Sequence, residues 1–107
     1  MKNSMAQLSL PFPVQKAITK LGTDIGIARK RRRLTMAIVA ERALVSRNTL
    51  TRVERGDPGV SLGIYASVLF VLKLSDGIAM LADPMEDELG QALEHGRLPA
   101  RARSSRR

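Results

Sequence analysis

The sequence predicts an all-α fold of five short helices with a tail at each end, and three observations lead to that prediction. Apolar residues recur at spacings of three and four along most of the chain, which is the period of a helix. No core strand is evident, and only three of the 107 residues are aromatic, so small aliphatic side chains must fill the core. A chain of this length fits one domain, for which a compact helical bundle is the economical way to bury a modest core.

The first helix is predicted from Val14 to about Arg32. Its apolar residues lie four, three, four and three apart and form one stripe: Val14, Ile18, Leu21, Ile25 and Ala28. Pro13 suits the first turn, where a missing N–H costs nothing. Five consecutive bases, residues 29–33, fall in the last turn, where cations complement the helix dipole. A solvated helix end accounts for part of this charge, and contact with phosphate accounts better for the excess.

Two short helices joined by a tight turn are predicted between Thr35 and Gly56. Thr35 and Ser46 suit the N-caps because a hydroxyl oxygen accepts from an orphan N–H, and Gly56 suits the position after the second helix. The expected buried positions are Ala37, Val39, Ala40, Ala43, Leu50 and Val53. The second helix directs a polar and basic face away from them, and such a face suits a DNA major groove: Arg47, Asn48, Thr49, Thr51 and Arg52.

A fourth helix is predicted to start at Ser61, after the turn signal Asp57-Pro58-Gly59. Its expected buried residues are Leu62, Tyr65, Val68, Leu69 and Leu72. A short fifth helix is predicted from Ser75-Asp76 to Pro84, with Ile78, Met80 and Leu81 facing inward. One more helical segment is predicted over residues 87–95. It is expected to be weak, because Gly90 and Gly96 disfavour a helix.

Three regions follow from this pattern: an arm at residues 1–13, a helical domain at residues 14–84 and a C-terminal extension at residues 85–107. Pro11 and Pro13 interrupt the arm, which we expect to be disordered or ordered only within a dimer. The extension is acidic up to Glu94 and basic from Arg97 onward. This polarity predicts a mobile or partner-binding segment, although a solvated acidic helix followed by a disordered tail explains it equally well.

The charge of the chain favours nucleic acid as the partner. The formal net charge is +8 and the isoelectric point is about 11.1. A small protein this basic most often meets nucleic acid, and less often an anionic membrane or an acidic protein. The chain contains no cysteine, no apolar run of membrane-spanning length and no convincing signal peptide. We therefore expect a cytoplasmic location.

The sequence offers no candidate catalytic, cofactor or metal site. His95 is the single histidine and has no clustered carboxylate or cysteine near it in sequence, so a plain surface position is its natural interpretation. Gly56 and Gly59 belong to turns and not to a phosphate-binding loop. No pair of nucleophile and base can be proposed, and we expect a protein that is not an enzyme.

The run from Thr35 to Gly56, TMAIVAERALVSRNTLTRVERG, resembles the XRE (Cro/repressor-type) helix-turn-helix family. The resemblance extends over about residues 17–81 and implies a lambda-repressor-like DNA-binding domain. It also implies that Glu54 is structural, bonded to Arg42 or to a backbone group. The chain departs from the family at two positions, with Met36 in place of a frequent Gln and Leu44 in place of the usual turn Gly. A left-handed leucine is costly, so we expect a differently shaped turn there.

Carried over by position, the resemblance implies two sets of DNA contacts. Arg47, Asn48 and Arg52 would reach base edges, since Arg bonds bidentately to guanine and Asn to adenine. The expected contacts to the DNA backbone, which set the register without reading the sequence, are Thr35, Ser46, Thr49, Thr51, Arg31, Arg32 and Arg33.

The functional expectation is a sequence-specific transcriptional repressor that binds a pseudo-palindromic operator on double-stranded DNA as a homodimer. The long apolar fourth helix and the basic, proline-containing extension are similar to HipB-type antitoxins, which implies repression of its own operon and a HipA-like kinase as partner. The alternative is an interaction protein that neutralises such a kinase, with DNA binding secondary. Non-specific binding to RNA or to an anionic membrane is a weaker option, and the small number of aromatic residues argues against stacking on single-stranded bases.

Overall fold

The computed structural model describes residues 9–96, which form helices and turns without a strand. They divide into two compact units, the first ending at Ser75 and the second beginning at Asp76. The helices of the first unit are α1 (Phe12–Arg31), α2 (Met36–Ala43), α3 (Arg47–Glu54) and α4 (Leu62–Val71). The second unit contains α5 (Asp76–Ala79), a 3₁₀ turn (Pro84–Glu86) and α6 (Glu88–Glu94). The all-α prediction is confirmed.

Helix α1 begins two residues earlier than predicted. Pro11 is its N-cap and Pro13 lies in its first turn, so the end of the predicted arm belongs to the helix. The predicted apolar stripe is buried at Ile25 and Ala28, whereas Val14 near the start is 40% exposed. The burial of α1 is therefore concentrated in its second half, which packs on α3. Residues 1–8 of the predicted arm lie outside the described residues.

Serine and threonine caps begin the next three helices, which confirms the predicted caps at Thr35 and Ser46 and the predicted helix start at Ser61. The side-chain oxygen of Thr35 accepts from the N–H of Ile38 at 3.1 Å, that of Ser46 accepts from Thr49 at 3.0 Å, and that of Ser61 accepts from Ile64 at 3.2 Å. Gly56, after α3, takes the predicted left-handed conformation with φ of 71°. Each helix thus begins or ends where a local hydrogen bond satisfies an orphan backbone group.

The core of the first unit is made of aliphatic side chains and one tyrosine. Helix α2 packs on both α3 and α4. Its residues Val39, Ala40 and Ala43 are buried as predicted, and Ala37 is exposed. The other buried apolar residues of this unit are Ile25, Ala28, Leu50, Val53, Val60, Tyr65, Val68, Leu69 and Leu72. The prediction for Leu62 is wrong, because this residue is 64% exposed and the burial of α4 begins one turn later.

In the second unit two of the three residues predicted to face inward are exposed, and the third, Ile78, is half-buried. Helix α5 has four residues, and Met80 and Leu81 beyond it are 51% and 78% exposed. A single helical turn is too short to present a continuous apolar face, so the prediction for these two side chains is wrong. The helical segment predicted near residue 90 is confirmed as α6, with Asp87 accepting from the N–H of Gly90 at 2.9 Å. The basic tail, residues 97–107, lies outside the described residues.

Leu44 forms the turn between α2 and α3 in the left-handed conformation, with φ of 60° and ψ of 42°. Its side chain is 91% exposed. The expectation of a differently shaped turn is therefore wrong, since the backbone has the conformation that glycine would favour. Its N–H and that of Val45 donate to the carbonyls of Glu41 and Ala40, closing the end of α2. These bonds hold the leucine in a conformation that is costly for a residue with a Cβ.

Replacing Leu44 by glycine should raise the free energy of unfolding by about 1 kcal/mol, because the steric penalty of the left-handed conformation disappears. Leu44→Ala is the matched control, since it removes the same exposed side chain but keeps the Cβ. We expect alanine to leave the stability close to that of the wild type. Urea denaturation of the three proteins measures the difference, and three equal midpoints would show that the turn is unstrained.

Candidate nucleic-acid interface

Helix α3 has one buried side and one exposed side. Leu50 and Val53 are fully buried and attach the helix to the core. Arg47 and Asn48, in the first turn, are exposed, and neither side chain has a hydrogen-bond partner among residues 9–96. A guanidinium and a carboxamide are thus presented together at the surface. These are the two groups that bond bidentately to guanine and adenine.

Arg52 lies four residues after Asn48, which places the two side chains on one face of the helix. Unlike Arg47, Arg52 has a hydrogen-bond partner among the described residues. Its Nε donates to Oδ2 of Asp57 at 2.7 Å, and the Arg52 side chain is 42% exposed. The structure therefore brings the three predicted base-contacting residues onto one helix and ties one of them to the turn that follows it.

The predicted hydroxyl contacts divide into two kinds. Ser46 donates its hydroxyl proton to Oγ1 of Thr49 at 3.0 Å, and Thr51 donates its own to the carbonyl of Arg47 at 3.1 Å. A phosphate oxygen only accepts, so these two hydroxyls would have to turn away from their present partners to bond to one. Thr35 and Thr49 act as acceptors in the bonds that they make here, which leaves their protons for another acceptor.

The basic block at residues 29–33 serves two purposes. Arg31, Arg32 and Arg33 are exposed where α1 leads into α2. Arg32 also donates to the carbonyl of Ala28 at 2.9 Å and so helps to close α1. Arg29 points inward, and its side chain is only 11% exposed. The three exposed bases are therefore the ones available for phosphate contact, whereas the Arg29 side chain is mostly buried between α1 and α3.

Arg29 and Glu54 form a two-pronged ion pair between α1 and α3. Nε and Nη2 of Arg29 donate to the two carboxylate oxygens at 2.7 and 3.2 Å, and Nη1 donates to the carbonyl of Leu34 at 3.1 Å. The hydrogen bond to Glu54 raises the pKa of Arg29, against the opposing effect of desolvation. Glu54 is thus structural as expected, but its partner is Arg29. Arg42, the partner suggested by the sequence, lies exposed on the last turn of α2.

A family model described as a helix-turn-helix domain matches residues 20–78, more than half of the chain, and this range contains α2, the turn at Leu44 and α3. The chain belongs to this helix-turn-helix family. The family is of the Cro/repressor type, which supports a DNA-binding regulator, and its domains are typically not enzymes. No curated protein and no solved structure matches the chain. Among residues 9–96, no helix has the length and apolarity needed to cross a membrane.

The helix-turn-helix domain holds α3 against α1 by direct backbone contact, which the sequence analysis missed. A Cβ on Gly22 would lie 2.6 Å from the carbonyl oxygen of Val53, and a Cβ on Gly56 would lie 2.6 Å from that of Ile18. Real side chains do not approach that closely. The available signal was Gly22 and Gly26 four residues apart within a predicted helix, a place where glycine needs a packing reason.

A second structural cluster of the helix-turn-helix domain centres on Asp57, which sequence reasoning treated only as part of a turn. Besides pairing with Arg52, its carboxylate accepts from the N–H of Gly59 at 2.8 Å. Its own N–H donates to the carbonyl of Arg52 at 3.0 Å, and its carbonyl accepts from the Tyr65 hydroxyl at 2.8 Å. Burial raises the pKa of Tyr65 to about 12, so its hydroxyl keeps its proton at neutral pH. These bonds link the end of α3 to α4.

Proposed function

We propose that the protein is a cytoplasmic, sequence-specific transcriptional repressor that binds a pseudo-palindromic operator as a homodimer. The observation that supports this most directly is the outer face of α3, where Arg47 and Asn48 are exposed beside two fully buried anchor residues. In this proposal α3 lies in the major groove, where Arg47 and Arg52 bond to guanine and Asn48 bonds to adenine.

Phosphate contacts would come from both sides of α3 and from the end of α1. The proposed contacts are Arg31, Arg32, Arg33, Thr35, Ser46, Thr49 and Thr51. Residues 9–75 carry twelve Lys and Arg against four Asp and Glu, which supports attraction to a polyanion. Because bound phosphates release counterions, affinity should fall steeply as the salt concentration rises.

A homodimer would place two copies of α3 in successive major grooves, about 34 Å apart on one side of the DNA. Apolar side chains remain available on the first unit for such an association. Phe70 and Leu62 of α4 are 71% and 64% exposed. Exposed large apolar residues on a small domain favour an interface with another chain.

The test of specific DNA binding is a salt-titrated affinity measurement on the DNA upstream of the protein's own gene and on random DNA. Asn48→Ala should cost about 1–3 kcal/mol on the operator and little on random DNA, because it removes a contact to a base. Arg31→Ala is the control, expected to weaken both complexes alike and to reduce the salt slope by about one.

Two results would count against the proposal. Equal losses for Asn48→Ala on both DNAs would mean that α3 contacts only phosphates. No preference of the wild-type protein for any part of the upstream DNA over random DNA would contradict an autoregulated operator.

We further propose that the repressor is the antitoxin of a toxin–antitoxin pair with a HipA-like kinase as its partner. The second unit supports a protein-binding role. Residues 76–96 carry six acidic residues and no Lys or Arg, and Leu81, Met85 and Leu89 are 78%, 78% and 61% exposed. Exposed apolar side chains surrounded by acidic ones suit a partner whose apolar contact surface is surrounded by basic residues. The second candidate function, neutralisation of the kinase with DNA binding secondary, depends on the same surface.

A variant that ends at Pro84 separates the two functions. All the buried apolar residues of the first unit lie before Lys73 and remain in the truncated chain. We expect unchanged operator affinity and loss of binding to the kinase-like product of the neighbouring reading frame, measured by calorimetry with the purified proteins. Full retention of partner binding would show that the part of this surface beyond Pro84, which includes Met85 and Leu89, does not contact the partner.

A further inference from the structure

We propose that Asp57 is a specificity-determining residue that positions the guanidinium of Arg52 for one base pair of each half-site. The inference rests on the proposed function and concerns a residue outside α3, the helix proposed to lie in the major groove. Asp57 lies in the turn that follows α3, and its Oδ2 accepts from Nε of Arg52 at 2.7 Å. Its role is to orient Arg52, and it makes no contact with DNA itself.

The chemistry of the guanidinium explains why this pairing leaves a base contact possible. The group is planar and has five N–H donors, of which the bond to Asp57 uses the one on Nε. The donors on Nη1 and Nη2 have no hydrogen-bond partner among residues 9–96, and the side chain is 42% exposed. Since the group is rigid, fixing the Nε edge fixes the direction of the Nη pair. Two parallel donors are what the O6 and N7 atoms of guanine accept.

Asp57 is itself fixed by several hydrogen bonds, so it can hold Arg52 in one orientation. Its Oδ1 accepts from Gly59 at 2.8 Å, and its backbone bonds to Arg52 and to the hydroxyl of Tyr65. Tyr65 is only 4% exposed and belongs to the core. A long arginine side chain that is already ordered before binding loses less conformational entropy when it meets the base. The arrangement therefore preorganises Arg52.

A purely structural role accounts less well for this ion pair. Helix α3 is already fixed by two fully buried side chains and by the Arg29–Glu54 pair, whose side chains are only 11% and 15% exposed. The Arg52 side chain is far more exposed than either of these, and half-exposed ion pairs contribute little to stability. The fixed orientation that the bond to Asp57 gives to the half-exposed guanidinium is the property that a base contact would use.

The experiment compares full-length wild type, Asp57→Asn, Arg52→Ala and the double variant. Asparagine keeps an oxygen for the N–H of Gly59 but loses the charge that holds Arg52. Affinities are measured at one salt concentration on the operator, on random DNA and on operators with each base pair changed in turn. Asp24→Asn is the matched control, because it removes the same charge from an exposed pair with Lys20 on α1. Thermal unfolding verifies that every variant is folded.

We expect Asp57→Asn to lower the ratio of operator to random-DNA affinity by about ten-fold, the scale of one bidentate base contact. Binding to random DNA should not fall, since the variant is more positive. The lost preference should map to the same base pair that Arg52→Ala affects, and the double variant should resemble Arg52→Ala alone. Asp24→Asn should leave the base preferences unchanged.

Three results would overturn the inference, and they are distinguishable. An unchanged base profile for Asp57→Asn, with Arg52→Ala losing preference at one base pair, would remove the positioning role while the proposed function stands. A loss for Asp57→Asn at a different base pair would show that Asp57 acts independently of Arg52. If the wild-type protein does not prefer the operator at all, the proposed function fails and the inference fails with it.

Discussion

Glu54→Ala should lower the free energy of unfolding by about 3 kcal/mol, the cost of leaving a mostly buried charge without its partner. The Arg29 side chain, which is 11% exposed, would lose its charged partner and two of its three hydrogen bonds. The hydrogen bond to Glu54 raises the pKa of Arg29, so the pair favours the charged form of the guanidinium. Chemical denaturation of the folded variant measures the loss.

The control is the exposed pair of Lys20 and Asp24 on α1, whose side chains are 78% and 50% exposed. Asp24→Ala should change stability by less than about 0.5 kcal/mol, as is usual for surface pairs spaced four apart. A cycle of Arg29→Ala, Glu54→Ala and the double variant isolates the coupling between the two charges. Equal effects of Glu54→Ala and Asp24→Ala would show that burial adds nothing to the pair.

Much of the fold could be predicted because the decisive signals are local. The caps at Thr35, Ser46 and Ser61 each depend on a hydroxyl and an N–H three residues later. The anchor residues Leu50 and Val53 were predicted from a spacing of three, which any helix converts into a shared face. Residues close together in the chain determine the helix caps and the buried face of α3, so the sequence alone is enough to predict both.

The partner of Glu54 could not be predicted in the same way. Arg29 and Arg42 are both arginines on helices that precede α3, and nothing in their spacing selects between them. The selection depends on which helix face approaches the carboxylate in three dimensions. Helix α1 does so because Gly26 leaves room beside it, where a Cβ would lie 3.2 Å from Oε1 of Glu54. Periodicity describes one helix at a time and carries no such information.

The errors in burial have a related cause. Leu62 belongs to the apolar pattern of α4, but it lies in a turn of the helix that no other element among residues 9–96 covers, and it is exposed. Periodicity predicts which side of a helix is apolar, but it cannot predict how far a neighbouring element covers that side. In the same way, the link between Arg52 and Asp57 spans five residues across the end of a helix, a spacing that regular helix geometry does not bring together. The candidate site was therefore predicted by residue type, and its internal bonds were not.

Gly22→Ala should lower the free energy of unfolding by about 2 kcal/mol, because the added Cβ overpacks a contact between two backbones. It would lie 2.6 Å from the carbonyl oxygen of Val53, so α1 and the end of α3 must separate. At a helical glycine with free space around it, the same change stabilises a protein by up to about 1 kcal/mol. The sign of the effect therefore shows whether the added Cβ meets the backbone of the neighbouring helix. Thermal and urea unfolding give the magnitude.

Gly63→Ala is the matched control, because it makes the same substitution within α4, where the nearest atom to a Cβ is Oγ of Ser61 at 3.8 Å. It should stabilise the domain by about 0.5 kcal/mol. If Gly22→Ala also stabilises the protein, the backbone contact does not constrain α3. If it destabilises as expected, the proposed function predicts that operator affinity falls further than the unfolded fraction alone explains, because the displaced helix is the one proposed to bring Arg47 and Asn48 to the DNA.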